Sequence, residues 1–102
     1  MPSSDLLLLR VAATWFLPGL GVLVVPAGAT PRLANYPLHT ALAVVAEVAG
    51  GILAPATATV EEITREGTAK WALLLDFGAA GVPPLLPGTG IWLVEETPQQ
   101  IG

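Results

Sequence analysis

Cysteine is absent from this 102-residue chain, serine occurs twice and histidine once. Without cysteine there are no disulfides, no thiolate chemistry and no cysteine-based zinc site. Both serines fall among the first four residues and the only histidine is His39, so no nucleophile–base constellation can be assembled. A general-base reading would pair His39 with Glu47, but a hydrogen-bonded or exposed histidine at the start of an element is the simpler expectation. Basic residues are equally scarce: Arg10, Arg32, Arg65 and Lys70 stand far apart. Nucleic-acid affinity needs clustered cations to neutralise several phosphates, so no nucleic-acid partner is expected.

Charge of either sign is thin. Charged residues make up 12% of the chain, about half the share usual in a globular domain, while hydrophobic residues reach 53%. The length allows one domain, residues 1–102, which buries only about two-thirds of the surface its unfolded chain exposes. Apolar side chains therefore exceed what a single core can hold, and the surplus has three outlets: a membrane, a subunit interface or aggregation. Eight acidic residues against four basic ones give a net charge of −4, and Glu61, Glu62, Glu66, Glu95 and Glu96 are expected to form wet surface. Met1–Asp5 lacks the basic segment of a secretory signal, so none is read, and a virion or cytoplasmic assembly is the favoured location.

What the chain has in quantity is punctuation: 11 glycines and 10 prolines. Leu17-Pro-Gly-Leu-Gly-Val-Leu-Val-Val25 returns as Leu86-Pro-Gly-Thr-Gly-Ile-Trp-Leu-Val94, identical at five of nine positions. Pro-Gly-x-Gly is turn chemistry, and the apolar run after it predicts a buried strand. Neither copy completes a phosphate-binding loop: Val24 and Leu93 stand where a third glycine would fall, and no Lys-Ser/Thr comes after.

The same reading runs along the chain. Leu6–Leu17 predicts a strand with Leu7, Leu9, Val11, Ala13, Trp15 and Leu17 on one face. A hairpin at residues 18–21 leads to Val22–Val25, and Pro26–Pro37 is an ordered loop. Residues 38–49 read either as a helix stopped by Gly50-Gly51 or as a strand entering a hairpin there, and the neighbouring turns favour the strand. Further strands are expected at 52–54, 56–64, 70–77 and 91–95, and a polar tail at 97–102. The fold class is mainly β: a small antiparallel sandwich or barrel of six to seven short strands.

The 21 uncharged residues between Arg10 and Arg32 could span a bilayer by length, but Pro18, Pro26 and Pro31 would break such a helix repeatedly. A small integral membrane protein of pore-forming or lysis type is thus the second reading. A small ligand- or peptide-binding module, with Pro26–Pro37 and Gly78–Pro87 forming one rim, is the third. The leading expectation is a non-enzymatic structural protein, a self-associating component of a shell, virion or tail. Its partners would be copies of itself and other structural subunits, held by edge and face pairing, with no cofactor or metal called for. Trp15, Trp71, Trp92, Leu7, Leu9, Pro83 and Pro84 are the candidate interface residues, since aromatic side chains dominate such contacts.

Overall fold

The strand expected from Leu6 to Leu17 forms as β1 (Leu7–Leu17), and the two copies of the repeated segment flank it. The computed structural model describes residues 6–94. The expected polar tail and Glu95 and Glu96 lie outside that range. In the first copy the Leu20 N–H donates to the Leu17 carbonyl at 2.9 Å; in the second the Thr89 N–H donates to the Leu86 carbonyl at 3.0 Å. Gly19 and Gly88, each next after the turn proline, take φ of 80° and 93°, as the third position of a type II turn requires. β2 (Gly21–Pro26) and β6 (Gly90–Leu93) leave these turns and both run antiparallel to β1. The repeat is one turn-and-strand device used twice against the same strand.

The other strands are β3 (Ala41–Val48), β4 (Ile52–Arg65) and β5 (Thr68–Asp76). Hydrogen-bonded neighbours run in the order β1-β2-β5-β4-β3-β6 and close into a barrel in which every adjacent pair is antiparallel. The helix alternative for residues 38–49 is not realised. β3 pairs along its whole length with β4, and Val44 and Ala46 point inward while Ala43 stays exposed, a period of two. The expected strands 52–54 and 56–64 merge into one despite Pro55. That proline faces Val45 of β3, and the β5 ladder begins only at Thr57, so Pro55 occupies a stretch with a neighbour on one side alone. The merger is why six strands form.

The interior is filled by apolar residues from every strand: Leu9 and Val11, Val22 and Val24, Val44 and Ala46, Ala58 and Val60, Leu73 and Leu75, and Ile91. Small residues on β3 and β4 face larger ones elsewhere. Ala58 lies beside Leu75, and Ala46 beside Ile91, so small side chains offset large ones across the narrow barrel. Two loops supply stoppers. Leu33, from a single 3-10 turn at Leu33–Asn35, is wholly buried with Tyr36 against the core; Phe77 and Leu85 do the same from the β5–β6 connection.

The strict alternation expected in β1 fails. The register shifts between Leu7 and Leu9 against β6, and between Val11 and Ala13 against β2. Each bulge puts two residues opposite one and re-aims the side chains beyond it. Leu8 and Leu9 are both buried in consequence, while Trp15, on the face expected to be covered, is 46% exposed.

Two glycines set how closely the strands approach. A Cβ at Gly21 would overlap the Leu75 carbonyl oxygen of β5, a fixed backbone atom. A Cβ at Gly90 would meet the Trp92 indole nitrogen at 2.7 Å, because the indole lies back over Gly90 on the outer wall. Trp92 is only 7% exposed there, and among the described residues its buried N–H has no hydrogen-bond partner. The two substitutions should therefore differ. Gly21→Ala is expected to cost more than about 3 kcal/mol in denaturant unfolding, since backbone must move. Gly90→Ala should cost about 1–3 kcal/mol and red-shift tryptophan emission as the indole swings out. Equal costs would mean that the β2–β5 approach is not the tighter constraint.

Candidate functional site

Antiparallel neighbours throughout mean that the connections alternate between the two ends of the barrel. The β1–β2, β3–β4 and β5–β6 connections share one end, and the β2–β3 and β4–β5 connections share the other. Pro26–Pro37 and Gly78–Pro87 thus belong to opposite ends by connectivity, yet both return to β1 at adjacent residues: the Ala27 N–H donates to the Arg10 carbonyl and the Gly88 N–H to the Val11 carbonyl.

Large exposed apolar side chains concentrate at the first end. Phe16 is 67% exposed at the close of β1, Leu20 63% in the β1–β2 turn, and Ile52 64% where β4 begins. Leu53, Val82 and Leu86 join them from the β3–β4 hairpin and the β5–β6 connection. Phe16, Leu20 and Val82 line one shallow depression, with Phe77 and Gly81 between them. Among the described residues Glu47 and Asp76 belong to this end and the Arg65 guanidinium reaches Trp15 beside Phe16; the Asp76 carboxylate is occupied in accepting the Gly78 N–H at 2.8 Å.

The second end is the reverse. Arg32, Glu61, Glu62, Arg65, Glu66 and Lys70 gather around the β2–β3 and β4–β5 connections, so the acidic cluster expected as wet surface is there. His39 sits at φ 71° with Nδ1 3.3 Å from the Glu61 carboxylate, and not beside Glu47. Its side chain is 74% exposed, and an ion pair in that setting adds little stability. Among the described residues no group of three or more potential metal-ligating His, Cys, Asp or Glu side chains occurs.

The interface candidates do not form one patch. Trp15 lies on the outer wall. Trp71, half-buried on the same face as Leu73, packs against the core from the second end. Trp92 covers Gly90, with Leu7 beside it across the ladder and half-buried, and Leu9 belongs to the core. Pro83 and Pro84 are at the apolar end, the first half-buried and the second exposed. Sequence reasoning missed Phe16, Leu20, Ile52 and Leu86. Their signal was position: a bulky apolar residue in or next to a glycine-containing turn, where polar residues are usual.

No family model, no curated protein and no solved structure matches this chain.

The outer wall holds one further contact. Arg65, at the end of β4, places its guanidinium carbon 5.6 Å from the Trp15 ring centroid. β1 and β4 share no ladder, so this cation–π contact ties the β4–β5 hairpin across the wall of the barrel. The hairpin turns tightly through Glu66 and Gly67, both at positive φ, as a two-residue turn matching strand twist demands. Trp15→Ala should speed amide exchange in residues 61–70 by roughly two- to fivefold, the equivalent of about 0.5–1 kcal/mol, with the core amides unchanged. Unchanged exchange in the hairpin would show that the contact holds nothing.

Proposed function

We propose that this protein is a non-enzymatic assembly subunit that pairs with further copies of itself through the apolar end of the barrel. The observation that carries the reading is the division of the molecule. Phe16, Leu20, Ile52, Leu53, Val82 and Leu86 belong to the connections of one end at 46–67% exposure, and Arg32, Glu61, Glu62, Glu66 and Lys70 stand at the other. Two apolar ends brought together cover each other and leave both charged ends wet, the isologous arrangement of a two-fold dimer. Closure of the barrel removes the continuous free edges that edge pairing would use, so face contact is the mechanism. Other structural subunits, in a shell, virion or tail, would dock on the remaining walls.

The membrane reading receives less support. No helix among the described residues is long and apolar enough to cross a bilayer. A membrane-spanning barrel is polar inside and apolar outside, whereas this interior is entirely apolar and the walls carry Thr14, Thr57 and Glu62.

Light scattering in detergent-free buffer across a concentration series tests the proposal. The expected mass is at least twice 10.5 kDa. Phe16→Glu with Leu20→Glu should weaken association about 100-fold, since burying unpaired carboxylates is costly, while surface substitutions leave stability nearly unchanged. A wild-type chain that stays monomeric at every concentration defeats the reading.

A further inference from the structure

A concavity of about 720 Å³ lies between the start of β1 and the β2–β3 connection, with Ala27 tied to β1 by its N–H donating to the Arg10 carbonyl at 2.8 Å. Its lining runs against the character of the chain. In a protein of net charge −4 with four basic residues, two of the four, Arg10 and Arg32, line this groove, and among the described residues no acidic one does. Asn35 adds an amide, and the rest is apolar, including Leu7, Ala29 and Pro31.

Neither guanidinium is neutralised within the described residues, where the one ion pair is His39–Glu61. Arg10 donates from one nitrogen to the Gly88 carbonyl at 3.1 Å, which anchors the side chain to the β6 turn and leaves other N–H groups to give. Arg32 is half-buried with no side-chain hydrogen bond or ion pair among the described residues. A partly desolvated cation without a counter-charge is costly, and an anionic ligand would offset that cost. Guanidinium groups suit oxyanions because their N–H groups form paired, charge-assisted bonds to two oxygens at once. The apolar lining gives the remainder of such a ligand somewhere to rest.

We infer that this groove binds a small amphiphilic acid, its carboxylate taken by Arg10 and Arg32 and its apolar tail laid along Leu7, Ala29 and Pro31. The inference does not depend on self-association, because none of the exposed apolar residues proposed for pairing lines the groove.

Calorimetric titration of the full chain with octanoate, acetate and inorganic phosphate tests it, alongside amide chemical-shift mapping. Octanoate should bind at least tenfold more tightly than acetate or phosphate, with shifts confined to residues 7–10 and 27–35. Arg32→Gln should weaken octanoate binding about tenfold, the effect of losing one charge-assisted contact. Arg32→Lys should restore part of the affinity, and Phe16→Glu with Leu20→Glu should leave it unchanged. The Arg32 side chain makes no hydrogen bond or ion pair among the described residues, and an unaltered far-ultraviolet spectrum separates lost binding from lost folding. Acetate or phosphate binding as tightly as octanoate overturns the proposal. So does octanoate affinity that survives Arg10→Gln with Arg32→Gln, or the absence of any measurable octanoate binding.

Discussion

Closure of the barrel rests on four residues. β6, Gly90–Leu93, is the only strand joining β1 to β3, and without it the other five would form an open sheet with two free edges. A strand so short can close the ring because its first residue has no side chain. The Trp92 indole fills the space outside Gly90, and Ile91 points inward beside Leu9 and Ala46. The turn that launches β6 also holds Val11, whose N–H donates to the Thr89 carbonyl and whose carbonyl accepts from Gly88. The rest of the architecture depends on that closure. Once the ring is closed, all inward positions become one core, and the bulk of β1 and β5 is balanced by alanines on β3 and β4.

Closure also sorts the surface. An antiparallel ring sends its connections alternately to two ends, so the character of the loops becomes the character of each end. Here the β1–β2, β3–β4 and β5–β6 connections carry Leu20, Ile52 beyond Gly50-Gly51, and Val82 with Leu86, whereas the β2–β3 and β4–β5 connections carry arginines, glutamates and the lysine. Much of the excess of oily side chains over what the interior can hold falls on the connections of one end, with Trp15, Leu38 and Val94 exposed elsewhere. Scattered apolar residues are ordinary on any protein surface, but a gathered patch marks contact with something else.

Much of the framework was legible from residue order. Leu-Pro-Gly-x-Gly before an apolar run announced two turn-and-strand units, and both formed with matching hydrogen bonds. Gly-Gly at 50–51, which fitted either a helix stop or a hairpin, forms the hairpin, with both residues at positive φ. Less was legible in β1, where alternation placed Trp15 with Leu9 and Val11. Bulges arise from mismatch between neighbouring strands, and a single strand's sequence carries no trace of its neighbours' register. Leu33 looked like loop and proved to be a stopper of the core, since burial there depends on where a barrel mouth happens to open. Of the apolar end, the individual residues were visible but their convergence was not. Trp92, expected at an interface, lies over its own strand's glycine.

Composition and turn chemistry determined that this chain is built of short antiparallel strands, with more apolar material than one small interior accepts. These are local properties: φ preferences of proline and glycine, a period of two, and the limit that chain length sets on buried surface. Which strands close the ring, which loops share an end, and which two arginines border the same groove were decided only by tertiary pairing. Residues 10 and 32, or 20 and 82, become neighbours only when distant strands bond into a ring, and no local preference encodes that juxtaposition.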